Sequence, residues 1–227
     1  MTPVLSLCRI TKRFPGVVAL DEVSFDVRPG EVHAVMGENG AGKSTLMKIA
    51  AGIHAPDAGT VAVGGADMRL RSAHDATAAG IMTVFQELTV LPNRDVAQNI
   101  LVGAEPARLG GLMLDTRALY GRAQAVLDRW GIGLDARAPV ARLSAGERQM
   151  VEIARACAGE PKVLILDEPT SSLGRREEAV LFALIDRLKK AGVAIVYIKH
   201  RMSEVFDLSD RITVLRDGRH VVNGETA

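Results

Sequence analysis

Val23, Phe25 and Val27 alternate with polar neighbours, the period of a half-buried strand. Val4–Ile10 and Glu31–Met36 read as further short strands, and Lys43–Ala51, after a Gly-rich turn, has helical character. Pro56, Asp57 and Gly59 break the chain before a strand at Thr60–Val63, and Ile81–Phe85 is a β-rich run too short for a helix. From Glu87 to Gly159 the pattern turns helical, over Asp95–Val102, Asp115–Trp130 and Ala145–Ala158, with Gly and Pro clusters between. Val163–Leu166 and Val193–Ile198 are continuous apolar runs, as expected of strands buried on both faces. Arg175–Ala191 between them is amphipathic and helical. A short helix at Met202–Leu208 and strands at Ile212–Leu215 and His220–Val222 follow. Strand–helix alternation interrupted by a helical block predicts an α/β fold with an inserted helical subdomain. The expected division is an α/β core over 1–86 and 160–227 and a helical subdomain over 87–159, within one domain of 1–227.

Composition narrows the class. A chain of 227 residues is one large domain or two small ones. With 48% hydrophobic and 24% charged residues it is an ordinary globular composition, which excludes disorder as the main state. Lys and Arg total 28 against 27 Asp and Glu, so no global basic field favours nucleic acid. Cys8 and Cys157 are far apart and lack metal-ligand spacing, which points to a reducing compartment and two small buried or neutral residues. Met1–Ile10 has no apolar targeting segment, and no run approaches the ~18 apolar residues of a membrane helix. The chain is expected not to cross a membrane itself, though it can work beside one.

Two motifs carry chemistry. Gly37-Glu38-Asn39-Gly40-Ala41-Gly42-Lys43-Ser44 fits G-x-x-x-x-G-K-[ST] in full, between a predicted strand and a predicted helix. Glycines let successive backbone N–H groups turn toward phosphate oxygens, and the helix start adds its positive end. Lys43 places a cation on the β and γ phosphates, and the Ser44 hydroxyl suits Mg²⁺, which prefers oxygen. Val163–Leu166 then delivers Asp167 and Glu168 to the C-terminal end of a buried strand, where ligands sit in open α/β sheets. Asp167 suits Mg²⁺, directly or through water, and Glu168 suits a general base acting on water. A connecting turn and a solvent-facing charge pair are the plainer readings.

Leu143-Ser144-Ala145-Gly146-Glu147, followed by Gln149, resembles the LSGGQ-type signature of ATP-binding cassette (ABC) ATPases. Ser144 with Glu147 three residues on is also a helix capping box, and the two readings are compatible. Phe14-Pro15-Gly16-Val17, Gln86-Glu87-Leu88, Gln149–Ala154 and Tyr197-Ile198 before His200-Arg201 resemble the monosaccharide importers of that family, the ribose, xylose and galactose type. The resemblance implies a P-loop NTPase core, a mixed sheet with an N-terminal antiparallel β part, plus the helical subdomain. It implies ATP contacts at Phe14, Gly37, Glu38, Asn39, Gly40, Ala41, Gly42, Lys43, Ser44 and Thr45. Phe14 would stack on adenine, with a simple core aromatic as the alternative. Mg²⁺ falls to Ser44, Gln86 and Asp167, and catalysis to Glu168, Gln86 and the switch histidine His200. Leu143, Ser144, Ala145, Gly146 and Glu147 would meet ATP held by the opposite cassette.

The same resemblance implies an ATPase that powers sugar import from the cytoplasmic face of the inner membrane. Its partners would be a second cassette (homodimer or tandem domain), integral membrane permease subunits and, indirectly, a periplasmic sugar-binding protein, with no nucleic acid. Such subunits usually carry two cassettes in about twice this length, so the chain is either the first cassette of a longer protein or a natural single one. A soluble ABC ATPase outside transport, or a regulatory cassette with little turnover, are the other readings. Two positions depart from the family: Gly174 where many cassettes have Asp, and Lys199 where a small hydroxyl residue usually precedes the histidine.

Overall fold

Two sheets form where the alternation predicts strands, in a computed structural model that describes residues 2–108, 113–171, 173–199 and 208–225. The first is antiparallel, built from β1 (Leu5–Phe14), β2 (Val17–Val27), β4 (Ala58–Val63) and β5 (Ala66–Asp67) in the order β2-β1-β4-β5. The second is mixed, from β3 (Val32–Met36), β6 (Ile81–Val84), β9 (Val163–Asp167), β10 (Ala194–Ile198), β11 (Arg211–Arg216) and β12 (Arg219–Glu225). Its order is β12-β11-β3-β10-β9-β6, with β10 parallel to β3 and β9, and β12 antiparallel to β11. This is the predicted mixed sheet with an antiparallel N-terminal part.

β1 and β2 run longer than their alternation suggests. Their register shifts between Leu7 and Ile10 and again between Ile10 and Lys12. Arg9 and Glu22 sit there with φ of 49° and 50°, so the inward–outward pattern slips at each irregularity. The continuous apolar strands behave as predicted: every residue of β10, and all of β9 before Asp167, is buried, and β3 is buried throughout as well.

Contacts divide the chain into two units, Met1–Thr83 with Pro161–Glu168 and Leu188–Ala227, and Val84–Glu160 with Pro169–Arg187. In the first, helix α1 (Lys43–Ala50) buries Leu46, Met47 and Ile49 in a cluster with Leu5, Phe25, Val35, Ile165 and Val196. The parallel strands β3 and β9 end at Met36 and Asp167, where the two motifs begin. Helix α2 (Ala73–Ala78) and the two-residue strand β5 were not predicted; Ser72 caps α2 by accepting from the Asp75 N–H. Of the two cysteines expected as small buried or neutral residues, Cys8 is exposed and Cys157 is buried, its thiol pushed up to about 12 by desolvation.

The second unit holds α3 (Val96–Ile100), α4 (Thr116–Trp130), α5 (Ala145–Ala158) and most of α6 (Arg175–Lys190), and α3, α4 and α5 pack on one another. Asp115 caps α4, Gly131 ends it at φ 69°, and Leu119, Ala123, Leu127 and Trp130 form its buried stripe. An unpredicted antiparallel pair of short strands, β7 (Ala107–Arg108) and β8 (Met113–Leu114), falls between α3 and α4 in the chain. The predicted helix at Met202–Leu208 lies, apart from Leu208, outside the described residues. No helix among them is long and apolar enough to cross a membrane.

Candidate active site

The loop from β3 to α1 is shaped by backbone that only glycine accommodates. At Gly37 an added Cβ would stand 2.3 Å from the Leu215 carbonyl oxygen, and at Gly42 2.6 Å from that of Ala19. Gly42 is also the N-cap of α1, with φ 100°, so the loop delivers the helix start directly to its own rim. Glu38, Asn39, Gly40 and Ser44 are exposed there, Thr45 is half-buried, and Ala41 is tucked beneath.

Lys43 is 7% exposed, and its Nζ donates to the carbonyls of Gly37 at 2.7 Å and Glu38 at 3.0 Å. Burial lowers its proton affinity, and the charges of Glu168 and Asp167 pull it back up. Asp167 shows the complement. Burial raises its pKa, Glu168 raises it further, and Lys43 and Lys48 offset this. The first unit therefore brings the loop lysine and both strand-end carboxylates into one electrostatic group. Glu168 adopts φ 48°, a left-handed conformation unusual for a residue with a side chain, and its N–H donates to the Ile198 carbonyl at 3.2 Å. Such outliers concentrate where surrounding structure fixes a side chain for a task.

Oxygen donors fit a divalent cation here. Ser44 offers a hydroxyl and Asp167 a carboxylate whose ionisation is opposed by its surroundings, so a bound Mg²⁺ would relieve that opposition. Phe14 ends β1 half-buried and stands outside the buried cluster. Its ring meets that of His54 edge-on at 5.5 Å, with Lys12 Nζ 5.6 Å from its centroid.

In the second unit, Gln86 is exposed just after β6. Leu143 precedes the N-cap Ser144 of α5, and the capping box read from the sequence is formed. Ser144 Oγ accepts from the Glu147 N–H at 3.1 Å, and Glu147 Oε2 accepts from the Ser144 N–H at 2.8 Å. Ala145 is exposed and Gly146 buried, where a Cβ would press within 3.0 Å of Glu177 Cγ. At Gly174 a Cβ would stand 2.9 Å from Glu177 Oε2, so an aspartate there would oppose carboxylate to carboxylate. Lys199 is buried after β10, its N–H donating to the Val35 carbonyl. His200 and Ser172 lie outside the described residues. Sequence reasoning passed over Glu152 and Thr89, which this unit joins. The signal was a carboxylate inside the apolar run Met150–Ala154.

Comparison with known proteins places this geometry. The sequence pattern of the ABC transporter family matches residues 20–171. A ribose import ATP-binding protein of Rubrobacter xylanophilus is 49% identical over 221 residues, 97% of this chain and 44% of that protein. An arabinose import ATP-binding protein of Azospirillum brasilense is 49% identical over 219 residues, 96% of this chain and 42% of that protein. The chain thus spans under half the length of these relatives. A crystal structure of the ADP conformation of an ATP-binding cassette of an ABC transporter superposes with a TM-score of 0.87 at 27% identity, covering 99% of this chain and 92% of that one.

Proposed function

The chain belongs to the ABC transporter family, and on that premise we propose that it is an ATP-hydrolysing cassette that powers import of a monosaccharide. The observation that carries the reading is the group made by buried Lys43, at the start of α1, with Asp167 and Glu168 at the end of β9. The import role draws on relatives named for ribose and arabinose import.

ATP would lie along the loop from Gly37 to Thr45, with its adenine on the exposed face of Phe14. Lys43 then exchanges the Gly37 and Glu38 carbonyls for phosphate oxygens, so its charge is already in place when substrate arrives. Ser44, Asp167 and Gln86 would hold Mg²⁺, which supplies charge neutralisation on the phosphates. Glu168 takes the proton of the attacking water, with Gln86 and His200 orienting water and γ-phosphate. Ser144 and Gly146, at the positive start of α5, would complete the site of a second cassette. ATP binding favours the closed pair and hydrolysis releases it. A membrane permease on the cytoplasmic face would be the partner that turns closure into transport.

Mg²⁺-dependent ATP turnover, followed across a range of protein concentrations, tests this. Turnover should rise faster than the first power of protein. Glu168→Gln should lower it at least about 100-fold while ATP still binds. A chain that binds no ATP, or a Glu168→Gln variant of native rate, would overturn the proposal.

A further inference from the structure

Four side chains of the second unit, unused in the reading above, form one closed polar network. Glu152 lies on α5 within an otherwise apolar run and is 6% exposed. Its Oε1 accepts both from the Thr89 backbone N–H and, at 2.6 Å, from the Thr89 hydroxyl. Arg155, one turn along α5, donates Nη1 to that hydroxyl at 3.2 Å, Nε to the Asn99 carbonyl at 2.8 Å and Nη2 to Asn99 Oδ1 at 3.1 Å. Asn99, fully buried on α3, accepts from the Leu91 N–H at 2.7 Å and donates to the Leu91 and Asp95 carbonyls at 3.1 and 2.9 Å. Thr89 itself is exposed. A surface segment is therefore tied from beneath by buried, partly charged side chains, where apolar packing would hold it at lower desolvation cost. Such networks fix position more than they add stability.

The two ends of the network matter. Thr89 is three residues beyond Gln86, and Glu152 stands on the helix that begins at Ser144. We propose that Glu152, supported by Arg155 and Asn99, is a positioning residue that latches the Gln86-bearing segment to the signature helix, so that the two move as one body. This rests on the reading of Gln86 as a residue of the ATP site. A shift of α5 that brings Ser144 to a partner's nucleotide is then passed to Thr89 through two bonds to a single oxygen, and Gln86 is placed by the same motion.

The experiment compares the full chain with Glu152→Ala, Glu152→Gln and Thr89→Val by amide hydrogen exchange and by ATPase kinetics. Glu152→Ala should speed exchange at Thr89 and Leu91 about tenfold or more, while the central amides of α5 stay protected. It should lower kcat about tenfold with KM for ATP within about twofold. Glu152→Gln keeps the Oε1 acceptor and should restore most of both. Thr89→Val, an exposed change that leaves the fold intact, should give a smaller loss of the same kind. Unchanged exchange in Glu152→Ala, no recovery in Glu152→Gln, or loss of kcat in step with loss of α5 protection would each overturn the latch. If the parent chain hydrolyses no ATP, the functional reading fails, and the exchange at Thr89 and Leu91 alone decides the latch.

Discussion

On the function proposed above, the phosphate loop and the signature turn face the same chemical problem, a polyanion, and they are built by opposite means. The loop relies on backbone that resists substitution, a buried cation folded onto its own carbonyls, and the Asp167 carboxyl, whose ionisation is opposed by burial and by the neighbouring Glu168. The signature turn is an ordinary helix start in which the Ser144 and Glu147 N–H groups are bonded within the capping box. One region holds a charge opposed by its surroundings, which a bound cation would relieve. The other is at rest without substrate, so its contribution depends on where it is carried.

Substitutions should therefore hurt the first region more. Lys43→Ala is expected to weaken ATP binding about 100- to 1000-fold, since charge-assisted bonds to phosphate go with it. Calorimetric titration checks this, and a change below about threefold would remove Lys43 from the site. Gly37→Ala should cost about 3 kcal/mol of stability through its clash with Leu215, measured by denaturant unfolding. Acid should also act on the first unit, because the second contains no histidine. His33, in β3, is held down to about 4, chiefly by burial and by Arg211. The unfolded chain gains a proton near the ordinary 6.5 that the folded chain refuses, so this stability is full above 6.5 and is lost as pH falls toward 4. Glu31, raised by burial, works in the opposite sense, leaving a loss below about 2 kcal/mol at about pH 5. Unfolding at about pH 7.5 and about pH 5 tests it. A slope that persists in His33→Gln would assign the effect elsewhere. Ser144→Ala should cost only about 1 kcal/mol, the worth of one cap, seen as a small fall in Tm. If it costs as much as Gly37→Ala, the contrast between the regions does not hold.

Much of the first unit could be read along the chain because its information is local. Continuous apolar runs name β9 and β10, Glu31–Met36 reads as the strand β3, and the motifs stand at the ends of β3 and β9. The two-residue strand β5 and the Ala-rich α2 carry too few apolar positions to show a period. β1 and β2 were foreshortened because irregularities at Arg9 and Glu22 interrupt the alternation. In the second unit, helices α4 and α5 were legible from caps and stripes, and the ties of Glu152 were not. Its partner Thr89 lies 63 positions away, and nothing in local pattern says that a carboxylate on an apolar face has found a loop.

The left-handed backbone at Glu168 bears on how this protein can change by mutation. Glycine or asparagine at that position would sit more comfortably than glutamate, by roughly 1 kcal/mol. Glu168→Gly or Glu168→Asn should therefore be the sturdier molecule. Selection for thermal robustness without selection for turnover is expected to discard the proposed general base early, and libraries screened only for folding would then drift toward cassettes that lack it.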